Sequence, residues 1–248
     1  FTVVFADNHK MTSMIDRRLA SSQKSGTPYY HEVANIETHI FRSISCKKHE
    51  FQIRIAHEND IEAMMILQKE IDSPSYTPFY DFHEMKQTPY FHGLSISDFY
   101  LAFDGNKLCG YCGIWDLSNI KQTKVLAYHG WMKLFRRLYN NVLPRFFNFP
   151  YLPQPGDQLN TRSIHAISIQ DRSPIIFKAL LHHICTDTMV KADISLLCTL
   201  DQKDPLNSVF DSKINKVSKA GKVYLINNDS TLEPKFQQSF FVVDAPRI

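Results

Sequence analysis

The sequence has few glycines and no strong excess of charge of either sign. Only 8 of its 248 residues are glycine and 12 are proline, which excludes collagen-like and flexible linker proteins. The formal net charge is +3, from 28 basic and 25 acidic residues. Nucleic-acid-binding domains usually carry a clear basic excess, so we expect no nucleic-acid partner.

The sequence also lacks long apolar runs, and its number of cysteines is odd. No apolar stretch approaches the roughly 18 residues that a membrane-spanning helix needs, and the first residues lack the pattern of a signal peptide. The five cysteines are an odd set, in a chain too large to need disulfides for stability. We therefore expect no membrane span, free thiols and a cytoplasmic location.

What is present is enough apolar material for a real core. Hydrophobic residues make up 44% of the sequence and aromatic residues 12%, so the protein should be globular. Apolar periodicity predicts a strand over residues 1–5, a helix over 9–20 and a strand over 38–44. A charged connector over 46–50 then predicts a domain boundary. The first 48 residues are too few to bury a core alone, so we expect them to pack on the rest.

The remainder alternates strands and helices. A strand over 51–56 precedes a helix for which Asn59 and Glu62 form a capping box. Turn residues 104–106 join two strands into a hairpin. A basic amphipathic helix over 131–140 and a proline-containing loop over 141–163 follow.

The last third is the most regular part of the sequence. Its pattern predicts a strand over 164–169, then a helix to about residue 190 that begins at Pro174 with Ser173 as its N-cap. The predicted elements that follow are a strand over 194–200, a short helix over 205–210 and strands over 223–226 and 240–243. Together these elements predict an α/β (α+β) fold with a mixed, mostly antiparallel sheet flanked by helices.

This order of elements resembles the GNAT-type acyltransferase superfamily, the CoA-dependent N-acetyltransferases. The resemblance covers residues 51–248. It depends on Ile53-Arg54-Ile55-Ala56 with Asp60 as the opening strand and helix, on the hairpin over 99–115, and on the strand and helix over 165–189.

A second resemblance is to bacterial proteins that carry two such domains in tandem, of which this chain would be the C-terminal half. It depends on residues 113–116, Lys121-Gln122, Tyr128 and residues 152–156. It implies that residues 1–48 are the C-terminal tail of a preceding GNAT-like domain and that 49–248 form a GNAT-like acyltransferase domain. That domain would pack against the upstream domain or against a second copy.

The resemblance implies acetyl-CoA or another acyl-CoA as cofactor and a small-molecule amine or a peptide as substrate. A backbone cradle for the CoA pyrophosphate would follow the fourth strand of the fold, at the start of the next helix. The cofactor-binding residues that the resemblance implies are Ile167, Ile169, Gln170, Arg172 and Ser173.

The cradle departs from the family pattern of Gln or Arg, two residues, Gly, one residue, then Gly or Ala. Gln170 matches, but Ser173 and Ile175 stand where small residues belong. Pro174 removes one N–H group, and Asp171 adds negative charge beside an anionic ligand, which Arg172 would partly offset. The sequence therefore predicts a degenerate loop that binds acetyl-CoA weakly or not at all.

Candidate catalytic groups are few. His165 is the one candidate base on the cofactor-facing strand, and its alternative role is that of a buried strand histidine with its hydrogen bonds satisfied. The short helix over 205–210 offers no tyrosine as general acid. The side chains expected to line a substrate pocket are Trp115, Asp116, Gln122 and Tyr128. Two functions stay open: an acyl-CoA-dependent N-acyltransferase, or a catalytically inactive GNAT-like interaction or substrate-binding module.

Three further patterns have less specific interpretations. Cys109 and Cys112 have metal-motif spacing, but residues three apart in a strand point to opposite faces, so we expect no metal. The basic side of the helix over 131–140 could bind an anionic surface, although a solvated face above an aromatic core side is the more common arrangement. Aromatic loops around residues 76–82 and 146–151 could wall an acyl or amine pocket or fill the core.

Overall fold

The computed structural model describes residues 2–5, 7–21, 29–46, 49–72, 80–85, 91, 93–118, 124–147, 151–189, 195–211 and 216–227. Its strands are β1 (Thr2–Phe5), β2 (Tyr29–Phe41), β3 (Gln52–Ile55), β4 (Phe99–Asp104), β5 (Lys107–Trp115), β6 (Thr161–Ile169), β7 (Ser195–Asp201) and β8 (Lys216–Asn227). Its α-helices are α1 (His9–Ser21), α2 (Ile61–Asp72), α3 (Trp131–Phe147) and α4 (Pro174–Met189). Two of its 3-10 turns, Gln170–Arg172 and Pro205–Phe210, lie next to the site described below.

The eight strands form one sheet in the order β1-β8-β2-β7-β6-β5-β4-β3. Among the described strands only β6 and β7 pair in parallel, so the predicted mixed, mostly antiparallel sheet is confirmed. Helix α4 covers one face, where Phe177, Leu180 and Ile184 are fully buried. Helix α2 covers the other face through Met64 and Leu67. Because both faces are covered, the strands carry apolar side chains on both sides.

The first 48 residues belong to this same sheet. β2 lies between β7 and β8, with Phe41 opposite Leu196 on one side and Lys216 on the other. Phe41 and Ile44 are buried in the cluster beneath α4. The prediction that this segment packs on the rest of the chain is confirmed. The connector at 46–50 joins two strands of one sheet, and the origin of residues 1–48 in a preceding domain stays a prediction.

Several element boundaries differ from the sequence prediction. α3 continues to Phe147, so the loop predicted from residue 141 is wrong over its first seven residues. Pro144 removes one helical N–H donor, and that loss alone does not end the helix. The capping contact before α2 lies two residues earlier than predicted, where the His57 N–H donates to the Asp60 carboxylate at 2.8 Å. The strand predicted over 240–243 lies outside the described residues.

A buried polar network ties β2 to the other end of the chain. His39 is 1% exposed, and its ring nitrogens lie 2.9 Å from Ser218 Oγ and 3.0 Å from Asn207 Oδ1. The Asn207 side-chain amide donates to the Asp201 carbonyl, which orients its Oδ1 toward the imidazole as an acceptor. The Nε2–H of a neutral His39 therefore donates to Asn207, and Nδ1 accepts from Ser218.

This network predicts a loss of stability in mild acid. Burial lowers the pKa of His39 below its usual 6.5, although the hydrogen bond to Asn207 opposes this shift. In the unfolded chain the same group protonates as the pH falls through about 6.5, while the folded protein resists protonation. The free energy of unfolding should therefore decrease as the pH falls below about 6.5. Urea unfolding of H39Q should show a shallower decrease, and an unchanged slope would contradict the assignment.

Candidate functional site

The site region begins where two neighbouring strands separate. β6 and β7 pair over only three residues each, Thr161–Ser163 with Ser195–Leu197. Beyond them Ala166 has a left-handed backbone, with φ of 48°, and the register of β6 with β5 shifts opposite it. This irregularity bends β6, so that Ile167 and Ile169 lead away from β7. The sheet therefore opens at the carboxyl end of β6, just before α4.

An ion pair spans this opening. Arg172 follows β6 and pairs with Asp204, which follows β7. The same guanidinium donates to the Ile167 carbonyl at 3.1 Å. The side chains of Arg172 and Asp204 are 11% and 1% exposed, and Asp204 also accepts from the Leu206 N–H at 3.0 Å. Arg172 thus bridges the gap between the two strands, and its guanidinium occupies the Ile167 carbonyl as a hydrogen-bond donor.

The predicted phosphate cradle has a tight conformation built from non-glycine residues. Asp171 and Arg172 both have left-handed backbones, with φ of 53° and 47°. The Ser173 N–H donates to the Gln170 carbonyl at 3.1 Å, and Pro174, the first residue of α4, has no N–H. Neither Ser173, whose N–H is already hydrogen-bonded, nor Pro174, which has no N–H, can therefore donate freely to a phosphate. Gln170 is half-buried and Asp171 is exposed.

The left-handed backbone at Asp171 predicts a stabilising substitution. Glycine adopts this conformation without the steric cost of a Cβ atom, so D171G should raise the free energy of unfolding by roughly 0.5–1 kcal/mol. D211G is a matched control, because Asp211 is exposed and has an ordinary φ of −72°. In D211G the free energy of unfolding should fall by a similar amount, because glycine there only adds freedom to the unfolded chain. Urea unfolding measures both, and a destabilised D171G would contradict this account of the loop.

His165 lies deep in an aromatic cluster. It is 1% exposed, and its Nδ1 lies 2.9 Å from the Tyr80 hydroxyl. Its ring centroid is 5.3 Å from that of Phe99 and 5.4 Å from that of Trp115. A Cβ atom at Gly113 would lie 2.4 Å from His165 Nε2. Any larger residue at position 113 would therefore clash with the imidazole ring. This burial and the Nδ1 contact with Tyr80 favour the interpretation of His165 as a buried strand histidine.

The residues expected to line a substrate pocket differ in burial and in their partners. Trp115 is 2% exposed and packs on His165. Asp116 is exposed and accepts from the Ser118 N–H, and Tyr128 donates to the Pro153 carbonyl. Gln122 lies outside the described residues.

The aromatic segment that was a candidate pocket wall fills the core where it is described. Tyr80 and Phe82 are 1% and 3% exposed, and their rings stack 5.9 Å apart. Phe82 also meets the ring of Phe99 edge-on. Tyr151, from the other aromatic loop, is exposed. The core alternative therefore holds for Tyr80 and Phe82.

The spacing argument for Cys109 and Cys112 is wrong. Both side chains lie in the cluster beneath α4. Ala102 pairs with Gly110 and Phe103 with Leu108, so Cys109 is the extra residue of a β-bulge in β5. Such a bulge resets the alternation of faces. Burial raises the pKa of the Cys112 thiol. All five cysteines are free thiols in the structure, and the described residues contain no group of three or more His, Cys, Asp or Glu side chains that could hold a metal.

Sequence reasoning missed a groove beside the first turn of α4. It has a volume of about 690 Å³, and Pro174, Ile175 and Lys178 of α4 line one side. Phe51 and Val209 are among the residues on the other sides. Cys46 and residues 49–51 line the groove together with α4, a juxtaposition that no local sequence pattern shows. A ligand there would contact the first turn of α4 and the Lys178 ammonium.

The chain is similar to several solved structures at low sequence identity. A GCN5-related N-acetyltransferase from Sphaerobacter thermophilus matches with a TM-score of 0.50 at 8% identity, over 90% of this chain and 58% of that chain. A functionally unknown conserved protein from Staphylococcus epidermidis matches with a TM-score of 0.45 at 9% identity, over 91% of this chain and 82% of that chain. A third match is N-acetylglutamate synthase from Neisseria gonorrhoeae, complexed with coenzyme A and N-acetyl-glutamate. Its TM-score is 0.38 at 11% identity, over 71% of this chain and 36% of that chain.

The sequence matches no family model and no curated protein. No helix within the described ranges is long and apolar enough to cross a membrane. The chain spans 58% of the length of the Sphaerobacter protein, and at 8% identity that likeness concerns the fold and not the roles of individual residues. The mixed sheet, its flanking helices and its opening after β6 agree with the resemblance drawn from the order of elements: the chain has the fold of the GNAT acyltransferase superfamily.

Proposed function

We propose that this chain is a GNAT-like module of an acyl-CoA-dependent N-acyltransferase and is itself non-catalytic. One observation carries the proposal: the Arg172–Asp204 ion pair spans the opening between β6 and β7, and Arg172 donates to the Ile167 carbonyl. A cofactor entering there would have to displace a buried ion pair. Leaving Asp204 buried without its partner is strongly unfavourable.

The cradle at the start of α4 supports the same conclusion. A phosphate at a helix N-terminus is held by backbone N–H groups, and here Ser173 donates to Gln170 while Pro174 has none. The exposed Asp171 carboxylate would repel the pyrophosphate of CoA. His165, the one candidate base on β6, is 1% exposed in an aromatic cluster. We therefore assign this module to substrate or domain contacts, with an amine or peptide as the acceptor of the whole protein.

An active acyltransferase is the second candidate. Two observations favour it: the opening of the sheet after Ser163 and the groove of about 690 Å³ beside the first turn of α4. In this alternative the Lys178 ammonium at the groove would attract a phosphate, while Gln170 and Ser173 would face the cofactor.

Calorimetric titration of the chain with acetyl-CoA separates the two candidates. A non-catalytic module should give no saturable heat up to roughly millimolar ligand. The variant S173D is the matched probe, because aspartate is a good N-cap but adds a charge that repels the pyrophosphate. A low-micromolar Kd that S173D weakens by about tenfold or more would overturn the non-catalytic assignment and support the active one.

We further propose that residues 1–48 are the C-terminal tail of a preceding GNAT-like domain, which packs on this module as an upstream domain or in a second copy. The position of β2 supports this, because it enters the sheet between β7 and β8 from outside the 49–248 unit. A 49–248 fragment would lack β1 and β2, which would leave β8 without either of its partner strands and one edge of β7 unpaired. Unpaired strand edges promote aggregation. A fragment that stays monomeric and melts at the temperature of the whole chain would contradict the proposal.

A further inference from the structure

Helix α3 presents an apolar stripe to solvent. Its members are three to four residues apart and therefore share one side of the helix. They are Trp131, Leu134, Phe135, Leu138 and Val142, with exposures of 70%, 67%, 41%, 65% and 43%. Large contiguous apolar patches on a protein surface mark sites of interaction with another protein or a membrane. The sequence prediction that the aromatic side of this helix faces a core is wrong for Trp131 and Phe135.

Polar contacts hold the opposite side of the helix to the protein. Arg136 Nε donates to the Pro153 carbonyl at 2.9 Å. The Asn140 side chain pairs with the Leu152 backbone through two hydrogen bonds, of 2.9 and 2.8 Å. A surface helix normally turns its apolar side inward and its polar side outward. α3 does the reverse, and these hydrogen bonds fix that orientation.

All the charged residues in the sequence of α3 are basic. Residues 131–147 include Lys133, Arg136, Arg137 and Arg145 and contain no Asp or Glu. Lys133 and Arg137 are exposed. At 3.6 residues per turn, Arg137 lies at the border of the stripe beside Leu134, whereas Lys133 lies on the polar side of the helix near Asn140. A protein partner could cover the apolar stripe without cations at its border. Apolar and aromatic residues flanked by cations are the pattern of helices that lie on anionic lipid.

We propose that α3 lies flat on an anionic phospholipid surface, with its apolar stripe among the headgroups and upper acyl chains. Trp131 would sit at the interface, where tryptophan is enriched. Arg137, at the border of the stripe, would contact lipid phosphates, and Lys133 would add positive charge from the polar side of the helix. The helix binds the surface without crossing it, in accord with its length and charge. This inference is independent of whether the chain binds CoA.

Tryptophan fluorescence gives a direct readout. The chain has two tryptophans, of which Trp115 is 2% and Trp131 is 70% exposed. Vesicles of phosphatidylcholine mixed with phosphatidylglycerol should shift the emission to shorter wavelength, and W131F should abolish the shift. Vesicles of phosphatidylcholine alone should give little shift, and added salt should weaken binding to the anionic vesicles.

Vesicle sedimentation tests the two contributions separately. The double variant L134S/L138S should weaken binding by at least about tenfold, since each leucine loses its apolar burial. The double variant K133E/R137E should weaken it by a similar factor. I66S is the matched control: Ile66 is 56% exposed on α2, away from the stripe, and its loss should leave binding unchanged.

Three outcomes would overturn the proposal. The first is no binding to anionic vesicles. The second is equal binding to both vesicle types, or binding that survives both double variants. The third, by sedimentation equilibrium without lipid, is a dimer that L134S/L138S dissociates, which would assign the stripe to a second copy of the chain.

Discussion

Replacing Arg172 with leucine should cost about 3–5 kcal/mol of the free energy of unfolding. The substitution leaves the Asp204 carboxylate, 1% exposed, without its cationic partner. It also removes the hydrogen bond to the Ile167 carbonyl at the bend of β6. The leucine side chain keeps most of the apolar contacts, so the loss comes mainly from the uncompensated charge. Urea unfolding monitored by circular dichroism measures the change.

Two variants separate this cause from a general loss of packing. Adding D204N to R172L removes the stranded charge but keeps an acceptor for the Leu206 N–H, so the double variant should be more stable than R172L alone. R162L is the surface control, because Arg162 lies 4.0 Å from Asp116 and both side chains are about one third to one half exposed. It should cost at most about 1 kcal/mol. A double variant no more stable than R172L would contradict the explanation.

Replacing Phe210 with alanine should have a comparable effect, about 3–5 kcal/mol. Phe210 is 1% exposed. Its ring stacks on His39 at 4.1 Å between centroids and meets Phe41 at 5.2 Å and Phe177 at 6.4 Å. One side chain therefore joins β2, α4 and the 3-10 helix Pro205–Phe210. Its removal leaves a cavity where the first segment of the chain meets the rest.

The control for F210A lies on the same short helix. Ser208 is exposed and donates only to the Pro205 carbonyl, at 2.7 Å, so S208A should cost roughly 0.5–1 kcal/mol. Both variants are compared by urea unfolding. If F210A cost no more than S208A, the aromatic cluster would not be the element that binds β2 to the remainder.

The elements of this fold follow closely from local sequence patterns. The turn residues 104–106 predicted the β4–β5 hairpin, and Ser173 followed by Pro174 predicted the start of α4, because turn and cap preferences act over a few residues. The order of strands and helices then indicated the superfamily fold. These signals are local, and the structure confirms them.

The site depends on contacts that local patterns do not contain. Asp204 follows Arg172 by 32 residues, and only the closeness of the ends of β6 and β7 brings them together. Cys109 is the extra residue of a bulge in β5, which only the pairing of β5 with β4 reveals, so the spacing of the two cysteines alone gave the wrong faces. The outward apolar side of α3 is equally hidden, since periodicity shows that a helix is amphipathic but not which side faces the protein.

The central position of β2 sets an order for folding during synthesis. His39 meets Ser218, 179 residues later in the chain, and Asp7 pairs with Lys219, 212 residues later. β2 emerges from the ribosome long before β7 and β8, and it must wait unpaired until both are made. Sheets built from such distant segments fold slowly, and unpaired edges invite association with other chains in the meantime. Folding of the sheet is therefore expected to be post-translational, and its yield should be more sensitive to chaperones than that of a sheet whose neighbours follow one another in sequence.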